Sequence, residues 1–316
     1  MLRKLKVKNL SQFKSHTKMR KILSNTGWLF GDRILRMGAG LLVGVWVARY
    51  LGTKDYGLFN YAMAFISLFT PIFTLGLDDV VIRQLVKESS DKKEVLGTTF
   101  ALKFIGGIIS VLLAVGCALL LGGKNIFAIW LIGILAMTGV FRTADTIDLW
   151  FQSQVQSKYT VIAKNIGYLL SILLKVGLIL NKAPLIAFAW ATLAEIIIGA
   201  IGLIGIYQVK GFSKIWNWKW NFTTAKNLLR ESFPLIFSGF AILIFMKIDQ
   251  IMLGQMQGDN EVGIYSAAVR VSELWYFIPT AIVSSVSPSI YAAKEKSERH
   301  YYKRIGQLLR LLTYIS

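Results

Sequence analysis

Long apolar runs alternate with short polar connections along the whole chain, and each run is about as long as a helix that crosses a bilayer. Roughly 20 apolar residues, rising about 1.5 Å each, cross the hydrocarbon core. Runs of this kind cover residues 28–50, 56–77, 96–121, 126–151, 159–180, 184–207, 233–256 and 262–291, and a ninth begins near Ile305. Pro279 and Pro288 are predicted to kink the eighth. Lipid offers no partner to an open backbone N–H or C=O, so the runs are predicted to be helices. Barrel strands would be about 10 residues long and alternate polar with apolar positions. The pattern therefore predicts an all-α integral membrane protein.

Two polar connections carry structure of their own. In Asp78–Glu94 the apolar Val81, Leu85 and Val86 fall near one helical side, which predicts a short helix lying on the membrane surface. In Gln208–Glu231, Trp216, Trp218 and Trp220 surround Lys219. Tryptophan at every second position cannot form one helical face, so an irregular segment in the headgroup layer is expected.

Composition agrees with this reading and excludes others. Apolar residues make up 54% of 316, charged residues only 17%, and mean hydropathy is +0.54. The net charge of +19 would suggest nucleic acid in a soluble protein, but here the basic residues gather in particular connections. The N-terminal segment holds Arg3, Lys4, Lys6, Lys8, Lys14, Lys18, Arg20 and Lys21 with no acid. The connections after the second, sixth and eighth runs hold four, five and five basic residues, and the one after the fourth holds Lys158. The opposite-side connections hold only Arg49 and Lys54, then Lys124, then Lys182, then none. By the positive-inside rule the N-terminus is expected in the cytoplasm and no nucleic-acid partner is expected. Cys117 is the single cysteine, so no intrachain disulfide is expected, and neither His16 nor His300 belongs to a metal-ligand cluster.

An internal repeat bears on architecture. Leu51-Gly52 followed by Gly57-Leu58-Phe59-Asn60-Tyr61-Ala62 returns as Leu253-Gly254 followed by Gly263-Ile264-Tyr265-Ser266-Ala267-Ala268. Six runs separate the copies, so both point the same way across the membrane. That predicts two parallel six-helix bundles with a substrate cavity between them. The expected division is residues 1–207 for the first lobe, and residues 208–316 for a cytoplasmic linker and the start of the second. The chain stops within the ninth helix, so it is read as lacking the remainder of that lobe.

Charges inside apolar runs need a reason, because insertion costs roughly 2.5–3.5 kcal/mol each. Lys103, Lys164 and Lys175 are expected to snorkel toward the headgroups. Arg33 and Arg36 lie deeper and share a face, with Asp32 able to pair with Arg36 at i, i+4. Arg142 with Asp145, and Arg270 with Glu273, are further i, i+3 pairs. Glu195 falls near the middle of its run, and Lys247 and Asp249 past the middle of theirs. Arg33, Arg36, Arg142, Lys247 and Arg270 are the candidate contacts for an anionic ligand such as a diphosphate, which arginine grips bidentately. Glu195, Asp249 and Glu273 are candidate carboxylates for coupling to a proton or Na⁺. No cofactor is expected beyond such an ion.

Trp46-Val47-Ala48-Arg49-Tyr50-Leu51-Gly52 with Tyr56-Gly57-Leu58-Phe59-Asn60-Tyr61-Ala62 closely resembles the O-antigen and polysaccharide repeat-unit flippases of the MOP superfamily. The stretches Thr74–Arg83, Leu96-Gly97-Thr98, Phe233-Pro234-Leu235-Ile236 and Asp249–Gly254 are similar to that family too. The resemblance implies a MOP/MATE-like two-lobe bundle in the bacterial inner membrane. It implies movement of undecaprenyl-diphosphate-linked oligosaccharide between leaflets by alternating access, for O-antigen, capsule or exopolysaccharide synthesis. Its implied partners are that lipid-linked substrate, membrane lipids and the polysaccharide polymerase machinery. Arg33 and Arg36 match the part of the first helix where such flippases place cavity arginines. A multidrug extruder of the same superfamily is the alternative, disfavoured by the basic spans. A membrane glycosyltransferase or polymerase is a weaker one, because the outer connections are too short to hold an active site.

Overall fold

The computed structural model describes residues 2–87, 91–120, 126–210, 214–276, 279, 282–283 and 298–315, with side chains from residue 24 onward. Among these, every regular element is helical. Helix α1 runs Leu2–Ser67, turning sharply at Gly52, whose φ of 71° and ψ of 175° suit only glycine. Gly52 is itself non-helical, so α1 is two helical segments that meet there, and the break falls between the first two expected runs. Short α2 (Thr70–Thr74) follows, and the left-handed residues Leu75 and Gly76 turn the chain into α3, Leu77–Val86. Then come α4 (Lys92–Leu120), α5 (Ile126–Phe141), a 3-10 turn over Arg142–Ala144, and α6 (Asp145–Ser153). Helices α7 (Lys158–Leu180) and α8 (Leu185–Val209) form a hairpin. A 3-10 turn at Ile215–Asn217 leads to α9 (Phe222–Met256) and α10 (Asp259–Ser272). A 3-10 turn over Glu273–Tyr276 follows, and α11 covers Glu298–Ile315.

Among the described residues, six helical stretches are long and apolar enough to cross a membrane: Ser24–Ser67, Lys92–Leu120, Ile126–Ser153, Lys158–Leu180, Leu185–Val209 and Phe222–Met256. The protein is a multi-pass membrane protein. Much of the expected eighth span, including Pro288, lies outside the described residues. By contacts the chain forms two compact units, Met1–Ile264 and Tyr265–Ser316.

Within the first unit three clusters make the core. One joins Leu58, Tyr61 and Phe65 of α1 to Leu131 and Leu135 of α5, Ala189 of α8 and Ile251 of α9. A second joins Leu77, Val80, Val81 and Leu85 of α3 to Leu96, Leu149, Ala225 and Leu228. The short helix buries one side against its neighbours and leaves Asp78, Asp79 and Arg83 exposed. Its expected apolar side is right for Val81 and Leu85 but not for Val86, which is 61% exposed. The third joins Ile147 and Phe151 to Ala163, Leu203 and Tyr207. Glycines let backbones meet where the helices cross most closely: a Cβ on Gly107 would stand 3.0 Å from Val140 Cα, and one on Gly167 only 2.8 Å from Glu195 O.

The tryptophan segment is irregular, as its spacing predicts, and each tryptophan does a different job. Trp218 turns inward, its Nε1 donating to Tyr207 Oη at 3.4 Å and its ring meeting Phe100 edge-on at 5.7 Å between centroids. Trp216 and Trp220 remain exposed. Lys219 N donates to Lys93 O and Asn221 N to Thr98 Oγ1, while Asn221 Oδ1 caps α9 by accepting from Thr223 N.

Candidate functional site

The first unit pairs the charges of its long apolar helices across neighbouring helices in closed sets. In the upper set Arg36 Nε donates to Asp32 Oδ1 at 2.9 Å, the pairing that the i, i+4 spacing predicts. Arg36 Nη1 lies 3.9 Å from Glu195 of α8, and Lys175 of α7 closes the set on Glu195 at 3.5 Å. The Arg36 guanidinium also lies 4.8 Å above the Tyr168 ring, and Tyr168 Oη donates to Arg36 O at 3.0 Å. Cation–π contact and hydrogen bonds together fix this arginine's direction.

The lower set is built on Lys164 of α7, which holds Asp145 at 2.7 Å and Asp148 at 2.8 Å. Arg142 and Lys103 lie close enough to act electrostatically on Asp145. Lys103, only 1% exposed, ends on Asp78 Oδ1 at 2.6 Å. The three lysines expected to snorkel do not: each reaches a carboxylate on a neighbouring helix. In hydrocarbon an unpaired ammonium is costly, and a partner on an adjacent helix removes that cost without a route to the headgroups. The i, i+3 partner expected for Arg142 is held by Lys164 instead.

These partners leave a signature along α7 that sequence reasoning passed over. Ser157, Thr160, Lys164, Tyr168, Ser171 and Lys175 recur at intervals of three and four, so one face is polar over the helix's full length. Ser157, Thr160 and Ser171 are buried. The carboxylate partners could not be read that way, because they sit on other helices.

The candidate ligand contacts of the first unit lie on three different elements. Arg33, on α1, is exposed and makes no ion pair among the described residues. Arg36 is half-buried within the upper set. Arg142 is exposed on the turn between α5 and α6. Lys247 is part-exposed on α9, and Asp249 accepts from the backbone N of Gln250 at 2.7 Å. Glu195 is the bridge of the upper set. In the second unit, Arg270 lies in the last turn of α10 and Glu273 opens the 3-10 turn after it.

The two copies of the internal repeat meet within the first unit. A Cβ on Gly57 would come 2.7 Å from Gly263 N and closer still to Asp259 O; one on Gly263 would press on Thr53 C at 2.9 Å and closer still on Thr53 O. Each glycine thus rests on the residue four before its counterpart, a local two-fold crossing of equivalent turns. Thr53 Oγ1 with Asn260 Oδ1 at 3.0 Å, and Gln255 Nε2 donating to Tyr61 Oη at 2.6 Å, fasten it.

Comparison with known proteins follows the same outline. Residues 22–292 match the model of the polysaccharide biosynthesis protein family. The chain is 23% identical over 91% of its length to a probable flippase, AglR, of Haloferax volcanii, of which the match covers 59%. It is 21% identical to the succinoglycan biosynthesis transport protein ExoT of Rhizobium meliloti, covering 93% of this chain and 58% of that one. It is 24% identical to a putative O-antigen transporter of Shigella flexneri, covering 93% and 72%. The chain thus spans a little under three-fifths of the length of the first two. Among solved structures, an inward-facing multidrug resistance MATE family transporter of the MOP superfamily matches with a TM-score of 0.65. Identity there is 15%, covering 89% of this chain and 67% of that one.

Proposed function

From the premise that the chain belongs to the polysaccharide biosynthesis protein family, we propose that it moves lipid-linked oligosaccharide across the cytoplasmic membrane by alternating access. The family match over residues 22–292 carries this reading. The relatives named as flippase, O-antigen transporter and succinoglycan transport protein support transport over catalysis. The geometry supports Arg33 as the contact for the diphosphate in this reading. Arg36 is held by two carboxylates and an aromatic ring, whereas Arg33, one turn away, is exposed and outside every ion pair described. A planar guanidinium without a carboxylate is the group suited to bidentate phosphate recognition. In this reading Arg33 grips the headgroup and Arg36 stiffens the helix that presents it. Glu195, bridging two cations, is the carboxylate best placed to take up a coupling proton or Na⁺, and the N-terminus lies in the cytoplasm with the basic connections. The multidrug transporters share the fold, but at 15% identity that likeness speaks to fold alone.

The test is leaflet-resolved detection of the lipid-linked oligosaccharide in cells that lack the protein and are complemented with variants. Arg33→Ala is expected to insert normally and to leave the intermediate in the inner leaflet. Arg36→Ala is a poorer probe, because it strands Asp32 and Glu195 and removes stability along with any contact. An intermediate distributed normally in Arg33→Ala removes that residue from the site, and absence of the intermediate altogether in the null strain points to an enzyme.

A further inference from the structure

Helices α1 and α7 are tied at two levels and stand apart between them. At the lower tie Ser157 N donates to Asn25 Oδ1 at 2.7 Å; at the upper, Tyr168 Oη donates to Arg36 O at 3.0 Å. The ties are 11 residues apart on each helix, about 16 Å of rise. Between them lies a cleft of about 320 Å³ lined by Gly27, Trp28, Gly31, Asp32, Val161 and Asn165. That volume is within the range of small-molecule sites, roughly 300–1,000 Å³.

The lining states what would fit. Gly27 and Gly31 have nothing within 4 Å of where a Cβ would stand. Unlike Gly57 or Gly167 they serve no close helix crossing, although glycine weakens a helix relative to alanine. They keep a floor open. The polar groups are the Ser24 hydroxyl, the Asp32 carboxylate and Asn165, whose Oδ1 is buried with no hydrogen-bond partner. That oxygen and the carboxylate call for an occupant that brings donors. Phosphate brings only acceptors and would face Asp32. An organic cation would meet a carboxylate that Arg36 already holds. A pyranose ring brings neutral O–H donors at its rim and an apolar C–H face suited to Trp28 and Val161.

We infer that this cleft holds a sugar ring of the oligosaccharide, with Trp28 as platform and Asp32 and Asn165 as hydroxyl acceptors. The inference rests on the translocation reading above and assigns to sugar a place distinct from the phosphate contact at Arg33.

The test uses the chain in lipid nanodiscs and saturation-transfer difference NMR with methyl glucoside, galactoside, mannoside and N-acetylglucosaminide. At least one glycoside should receive saturation at its ring protons. Gly31→Leu projects into open space, so it should fold, and should weaken that binding about tenfold or more. Gly205→Leu also meets open space but lies outside the cleft, and should leave binding unchanged. Equal binding in Gly31→Leu, no saturation of any glycoside, or displacement of the glycoside by pyrophosphate or tetramethylammonium overturns the assignment. The arms separate the two readings. If the intermediate is trapped in the null strain while Gly31→Leu binds sugar normally, the cleft assignment alone falls. If glycoside binding behaves as expected but no intermediate is trapped, the translocation reading falls and the sugar site stands.

Discussion

Placing a methyl group on either crossing glycine sets two opposed energies against each other. In a helix, alanine is favoured over glycine by about 1 kcal/mol. At Gly57, however, the new carbon would lie 2.7 Å from Gly263 N, against the 3.4 Å or more of ordinary contact, and the atoms opposing it are backbone. Neither can rotate aside, so the helices must part by about 0.7 Å or more, and overpacking of this kind costs about 1–3 kcal/mol. Parting also stretches the Gln255–Tyr61 hydrogen bond. The expected net loss is up to about 2 kcal/mol for Gly57→Ala and the same for Gly263→Ala. The double variant should lose less than the sum, because the first methyl has already separated the helices for the second. Gly205→Ala has no neighbour to displace and should gain up to about 1 kcal/mol. The measurement is reversible unfolding of the purified chain in mixed micelles by added SDS, followed by helical circular dichroism. If Gly57→Ala and Gly263→Ala match Gly205→Ala in sign, or if their losses simply add, the crossing is not the close contact described.

Two further expectations use the same assay. Asp78→Ala strands the buried ammonium of Lys103 and should cost about 3–5 kcal/mol, whereas Lys103→Met leaves only a half-exposed carboxylate and should cost about 1 kcal/mol or less; equal losses would refute the asymmetry. Trp218→Ala removes a ring packed between two core clusters and should cost about 3 kcal/mol, while Trp216→Ala, 88% exposed, should be close to neutral.

The helices were legible because period and length in an apolar run are fixed by the bilayer, and those constraints act locally. The Asp32–Arg36 pair was legible for the same reason, being one turn long. What local reading could not give is which helices are neighbours. Lys164 reads as a lysine near a helix end until α6 brings Asp145 and Asp148 against it, and Lys175 until α8 brings Glu195. The apolar side of α3 was legible at Val81 and Leu85, but not that it packs against α4, α6 and α9, because those neighbours come from distant sequence. The repeat, by contrast, carried long-range information, since Gly57 and Gly263 occupy equivalent places in it and meet in space.

The closed charge sets of the first unit bear on how it would respond to voltage. Each elementary charge carried across the membrane field is worth about 2.3 kcal/mol per 100 mV. Asp32 and Glu195 offset Arg36 and Lys175, and Asp78, Asp145 and Asp148 offset Lys103, Lys164 and Arg142. Were these helices to move as one body, these groups would shift almost no net charge; Arg33, outside every ion pair described, is a charge these sets do not offset.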